Sequence, residues 1–249
     1  MTANSIGMPC LGLLHRERII PECPQAVTDG QYAGRAGDDY RSSPRTREET
    51  QLAESSILQN RRGTRYLMFD DAATIADVFA LRCRTSPNAP AYREFDSMAK
   101  EWKGIDWREV GQRVACMREG LRREGLKAGD RMAVMLKNSI NWVVADQGAF
   151  AHGLVTVPLF VDDRPDNVAF ILNDAGVKLI VIDGEEHWKR LKTVLDQLGS
   201  LQRILTVKPV NDPEEPRLAL LSDWLPKEAG TYDRPSVQAT DLATIVYTS

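Results

Sequence analysis

Between Met132 and Val207, short apolar runs alternate with segments whose apolar residues recur at helical spacing, and this alternation restricts the chain to few architectures. Met132–Leu136, Leu154–Leu159, Leu179–Ile182 and Ile204–Val207 are runs of strand length, almost continuously apolar. Strands of a parallel sheet, buried on both faces, read that way, whereas half-exposed antiparallel strands alternate. The segments between them carry Trp142, Val143, Ala149 and Phe150, then Val168, Ile171 and Leu172, then Trp188, Leu191, Val194 and Leu198. Ser139 is placed to cap the first of these helices, Pro165 suits the first turn of the second, and Gly199 is placed to stop the third. Helical crossovers return successive strands parallel, in the right-handed sense, and cover the sheet as they do so. The expectation is an α/β fold, a mainly parallel sheet with helices on both faces.

Upstream, Thr74 with Asp77 three residues on has the form of a capping box, Asp standing in for Glu. Ile75, Val78 and Phe79 follow at helical spacing, and Ser86-Pro87 ends that helix. Ala91–Phe95 and Glu101–Ile105 read as two short strands around a turn at Asp96-Ser97. Asp106 is placed as the N-cap of a longer helix with Glu109 in its first turn and Val110, Val114, Met117 and Leu121 as its stripe. Gly125 followed by Leu126 predicts its stop. Downstream, residues 210–217, with Pro213 and Pro216, read as a loop. Leu242–Tyr247 reads as a return to the sheet, with Leu242, Ile245 and Val246 buried.

Residues 1–66 lack this patterning. Gly, Pro, Ser, Thr and Arg are frequent, and no Lys occurs before Lys100. They are expected to form a disordered extension, with residues 67–249 as the folded domain. Glu17, Glu22, Asp29, Asp38 and Asp39 argue against a mitochondrial presequence, and no basic stretch followed by an apolar run marks a secretory leader. With 32 basic and 35 acidic residues the formal charge is −3, too weak a field to draw nucleic acid or an anionic membrane. The apolar window 143–161 contains Asp146, Gln147, His152, Gly153 and Pro158, which excludes it as a transmembrane helix. A cytoplasmic protein, in peripheral contact with a membrane at most, is the expectation.

Most chemically tempting residues have structural readings. Cys10, Cys23, Cys83 and Cys116 are scattered without a CxxC pair, and His15, His152 and His187 lie far apart, so no metal site is expected. Asp162, Asp163 and Asp166 lack the glycine and terminal Glu of a calcium loop and read as solvated turn residues. His152 reads as structural, because no motif sets an acid or nucleophile beside it. Cys83 and Cys116 read as small core residues, and the five tryptophans form no ladder for bases. No residue is assigned a catalytic role. What remains is Thr248 and Ser249, two hydroxyls where a strand hands over to a loop. Small side chains there let backbone N–H groups approach a phosphate, and hydroxyls donate to it.

Tyr247-Thr248-Ser249 looks like the opening of the YTSGTTGxPKG signature of the AMP-forming acyl-CoA synthetases, in the adenylate-forming superfamily. From about Thr74 onward the chain resembles the first part of that family's large N-terminal domain, in the same order. The segment Gly129-Asp130-Arg131-Met132-Ala133-Val134, then Asn138, Trp142 and Asp146, then Gly153-Leu154-Val155-Thr156-Val157-Pro158-Leu159 is similar to the family's GDRVAI, its Asn and Trp, and its G-x-V-x-VPLY, with Phe160 where Tyr is common. Residues 163–175 resemble its next helix. The resemblance implies that residues 67–249 are part of an AMP-binding domain ending at the ATP phosphate loop, with Thr248 and Ser249 as nucleotide-binding residues. It implies a long-chain fatty acid–CoA ligase, joining a fatty acid to coenzyme A with ATP and Mg2+ and releasing AMP and diphosphate. This chain by itself is expected to be inactive. Two alternatives stay open: another adenylating enzyme, such as a fatty acyl-AMP ligase or a peptide-synthetase adenylation domain, and a non-catalytic interaction module.

Overall fold

The computed structural model describes residues 57–59, 65–67, 72–229 and 237–248. Most of the expected 1–66 extension lies outside the described residues. At its end, β1 (Ile57–Gln59) and β2 (Arg65–Leu67) pair antiparallel.

Helix α1 (Ile75–Thr85) begins at the predicted capping box. Asp77 N donates to Thr74 Oγ1 (3.2 Å) and Thr74 N donates to the Asp77 carboxylate (3.0 Å). β3 (Pro90–Asp96) and β4 (Glu101–Asp106) form an antiparallel hairpin. Its turn lies at residues 97–100, beyond the expected Asp96-Ser97, because the Asp96 carboxylate accepts from Met98 N and Ala99 N (both 2.9 Å) and Lys100 takes a left-handed conformation. α2 (Trp107–Arg123) is capped by Asp106, which accepts from Glu109 N at 2.8 Å. It ends at Gly125 (φ 83°), and Leu126 N then reaches back to Leu121 O while its side chain is buried.

The central sheet is parallel throughout. β5 (Arg131–Met135), β6 (Val155–Pro158), β7 (Val177–Ile182), β8 (Arg203–Thr206) and β9 (Leu218–Leu220) stand in the order β6-β5-β7-β8-β9. Between them run α3 (Ile140–His152), α4 (Pro165–Asp174) and α5 (Glu185–Lys192). Alternate residues of each strand enter different cores, as the two-residue period of a strand requires. Met132, Val134, Leu179, Val181 and Leu205 pack against α2 and α3. Ala133, Met135, Val157, Ile180, Ile182 and Ile204 pack against α4 and α5. Helices therefore cover both faces, which is why these strands are mostly apolar, with their charged residues (Arg131, Lys178, Arg203) at or next to the strand starts. The α2–α3 contact is close: a Cβ on Gly148 would lie 2.4 Å from Met117 Cγ.

Two expectations are corrected, and one strand is added. The helix after β7 stops at Lys192, and a 3-10 turn at Leu195–Gln197 buries Leu195 and Leu198 in its place. Gly199 does not stop it. Residues 210–217 form the expected loop, and β9, a strand absent from the sequence reading, follows it with the short helix α6 (Leu221–Trp224). Leu242–Tyr247 does return to the sheet, but through a single parallel bridge, Thr156 to Thr244. Leu242 and Val246, expected to be buried, are 61% and 62% exposed, because among the described residues no element packs over that face of the edge.

Candidate functional site

Parallel strands all present their carboxyl ends to one edge of the sheet, and open α/β folds bind ligands there. The C-terminal segment delivers Thr248 to that edge beside the end of β6. Thr156 N donates to Ala243 O and Ile245 N donates to Thr156 O, both at 2.9 Å, and the Thr244 hydroxyl donates to Thr156 O at 3.1 Å. Ile245 and Tyr247 lean onto the core formed with α4. The Tyr247 hydroxyl donates to Asp174 Oδ2 (2.6 Å) at the end of α4, and its ring meets Phe170 edge-on at 6.5 Å. The hydrogen bond from the phenol to the Asp174 carboxylate pushes the Tyr247 pKa up to about 12.

Thr248 lines a hollow of about 490 Å3 with Phe160, Asp162, Asp163, Phe170 and Tyr247. Its acidic wall is partly self-contained. Asp163 accepts from Arg164 N (2.9 Å) and Asn167 Nδ2 (2.6 Å), while Asp166 pairs with Arg164 and is held below the usual carboxylate range by it. Arg190 spends its guanidinium on Val161 O (3.0 Å) and on Asp163 O. No lysine or arginine lines the hollow. For a triphosphate, the described residues lining this hollow thus supply the Thr248 hydroxyl and no cation. Nor do they supply a magnesium cage: among them no group of three His, Cys, Asp or Glu is placed to hold a metal ion.

Of the two predicted nucleotide-binding residues, Thr248 stands at the carboxyl edge of the sheet and Ser249 lies outside the described residues. His152 is held structurally: its Nε2–H donates to Leu126 O at 2.9 Å, and burial lowers its pKa. Cys116 is buried and Cys83 half-buried, where burial raises the Cys83 thiol pKa to about 11. Sequence reasoning missed Asp174 and Phe170, which seat Tyr247. It also missed Asp146, whose buried carboxyl is pushed up to about 6 by desolvation, with the Thr156 side chain as a hydrogen-bond partner. A charge inside the otherwise apolar stripe of α3 was the available signal for Asp146.

Comparison with known proteins places this geometry. Residues 79–249 match the family model described as AMP-binding enzyme. Long chain acyl-CoA synthetase 3 of Arabidopsis thaliana is 29% identical over 191 residues, covering 72% of this chain and 29% of that protein. Fatty acyl-CoA synthetase A of Dictyostelium discoideum is 25% identical over 190 residues, covering 71% and 28%. The chain therefore spans less than a third of the length of these curated relatives. Among solved structures, coronafacic acid ligase from Pectobacterium brasiliense aligns with a TM-score of 0.62 at 14% identity, over 69% of this chain and 33% of that one. A fatty acyl CoA synthetase of Mycobacterium tuberculosis aligns at 0.57 and 23% identity, over 71% and 32%. At such identities these structures speak for the fold alone. With more than half its length matched by the family model and its parallel sheet shared with those structures, the chain belongs to the AMP-binding, adenylate-forming enzymes.

Proposed function

We propose that these residues are the opening part of an ATP-dependent long-chain fatty acid–CoA ligase, and that the 249 residues alone do not catalyse the reaction. The observation carrying this reading is Thr248 at the carboxyl edge of a parallel sheet, on a segment pinned at Thr156 and at Asp174, in a chain similar to long-chain acyl-CoA synthetases. In this reading ATP activates the fatty acid as its adenylate with release of diphosphate. Coenzyme A then displaces AMP. The part played by this chain is narrow: Thr248, with Ser249, donates hydrogen bonds to phosphate oxygens, and Asp174 and Phe170 fix where Thr248 sits. Residues 1–66 are a dispensable extension, and contact with a membrane is peripheral.

Inactivity of the isolated chain follows from magnitudes. A neutral hydrogen bond contributes a net of about 0.5–1.5 kcal/mol. Two of them fall far short of the roughly 8 kcal/mol that micromolar binding requires. The acidic hollow adds no attraction for phosphate. The test is fatty-acid-dependent diphosphate release, measured for residues 1–249 and for a protein of the relatives' full length that begins with them. Release is expected from the second and not the first, and Thr248→Ala should weaken ATP use in it by about tenfold, one lost hydrogen bond. Release from residues 1–249 would overturn the inactivity, and silence of the long protein across fatty acids of many lengths would overturn the ligase.

A further inference from the structure

Adjacent strands β5 and β7 send their connections in opposite directions. α3 leads from β5 outward to β6 over one face, whereas α5 leads from β7 to β8 over the other. Where connections diverge in this way, a crevice opens beyond the carboxyl ends of the strands. A hollow of about 680 Å3 occurs there, floored by residues following β5, β7 and β8 and roofed by the β3–β4 hairpin. It does not share a residue with the hollow at Thr248. The roof is fixed: Glu94 Oε2, on β3, accepts from Ile140 N at the start of α3 (3.2 Å).

The crevice combines two features. One is an accessible aromatic platform. Phe95 and Trp102 are 50% and 60% exposed, their rings meet edge-on at 5.5 Å, and the Arg93 guanidinium lies 5.7 Å from the Trp102 ring centre. The other is positive charge without a counterpart. The crevice carboxylates are engaged, Glu94 on α3 and Asp183 on Lys208 Nζ at 2.9 Å. Arg93 and Lys137 also line it, and neither has a carboxylate partner among the described residues. Exposed rings offer stacking area, and free cations beside them favour a charged hydrogen-bond acceptor.

We propose that this crevice binds a small planar aromatic anion, its ring against Phe95 and Trp102 and its anionic group between Arg93 and Lys137. The site is independent of the phosphate-loop reading, since it uses neither Thr248 nor any residue that seats it. Either an aryl carboxylate or a nucleoside monophosphate has this chemistry. The test titrates residues 1–249 with 2-naphthoate and, separately, with AMP, following the indole N–H signals in 1H–15N spectra. Trp102→Phe identifies the reporting signal. Acetate and inorganic phosphate serve as anions without a ring, and adenosine as a ring without the anion. A saturable shift of the Trp102 signal is expected with 2-naphthoate, AMP or both, which also names the class, and not with the controls. Arg93→Gln and Lys137→Gln should each weaken it by about tenfold, a charge-assisted hydrogen bond. Unchanged core amide signals at Ile180 and Val181 would show that these variants remain folded. The assignment is overturned by no saturable shift with either probe, by an equal response to acetate or phosphate, or by binding that follows Thr248→Ala in place of Arg93→Gln.

Discussion

β7 and the C-terminal segment are written in the same alphabet, Leu-Ile-Val-Ile in one and Leu-Ala-Thr-Ile-Val in the other, yet they meet opposite fates. Leu179, Ile180, Val181 and Ile182 are fully buried, paired with β5 on one side and β8 on the other and covered by helices above and below. Leu242 and Val246 are mostly exposed, and their segment holds the sheet by one bridge to Thr156. β-Branched composition makes both segments extended. Only neighbours on both edges and both faces make one of them core. The residue with the best claim to function, Thr248, rides on the weakly held segment, as expected if binding elements come from the less stable parts of a fold.

The widest gap between the two should appear on truncation. Leu179→Ala removes a fully buried side chain from a central strand and is expected to lower the unfolding free energy by about 2–5 kcal/mol. Val246→Ala, at an exposed edge, should change it by less than about 0.5 kcal/mol. Urea titrations of the two variants measure both. Similar losses would mean that the terminal segment belongs to the core after all.

Asp146 sits at the joint between the two regions. It is buried on α3 and hydrogen-bonded with the side chain of Thr156, the residue whose backbone carries the terminal segment. Burial raises its pKa from 3.8 to about 6, so the folded state holds the proton more tightly than the unfolded chain. The contribution of Asp146 to stability is then greatest below about pH 4, falls as pH rises from 4 to 6, and is flat above that range. The penalty at neutral pH is at most about 3 kcal/mol. Asp146→Asn should remove this part of the pH dependence and raise stability at pH 7 by about 1–3 kcal/mol, again by urea titration across pH. An unchanged pH slope in the variant would show that Asp146 is ionised at no cost.

How far the fold can be read from the chain depends on where burial is decided. The four apolar runs and their helices are legible because both faces of a parallel strand bury the same kind of residue, so pattern and environment agree. The caps at Thr74, Asp106 and Ser139 are legible because a side-chain acceptor three residues ahead of its donor is a local matter. The end of α5 is not, because Val194 and Leu198 keep helical spacing while the chain turns to place Leu195 beneath the sheet. β9 escapes notice because three residues paired only with β8 leave no periodicity. The same holds at the candidate site. Thr248 is found from its neighbours in sequence, but Asp174, 73 residues before Tyr247, is joined to it only by the folded geometry.

That long-range contact gives the smallest effect and the sharpest probe of how firmly the terminal segment is seated. The Tyr247 phenol donates to Asp174 across 2.6 Å, and ionising it would set a phenolate against a carboxylate with no proton between them. Its pKa therefore stands near 12. Asp174→Asn keeps a hydrogen-bonding group but removes the charge, so the phenol should return towards the ordinary value of about 10. With six tyrosines in the chain, the Tyr247 titration is isolated as the difference in phenolate absorbance between each protein and its Tyr247→Phe counterpart. Little global stability should follow the change, because the pair lies at the surface, where such interactions contribute about 1 kcal/mol or less. The local effect should be larger: without the clasp at Asp174, the bridge at Thr156 and the packing of Ile245 and Tyr247 hold the segment less tightly, and the Ile245 amide should exchange with solvent faster while those of Ile180 and Val181 do not. A Tyr247 phenol that titrates near 10 in the unaltered protein would mean that the clasp is open in solution and that Thr248 is placed without it.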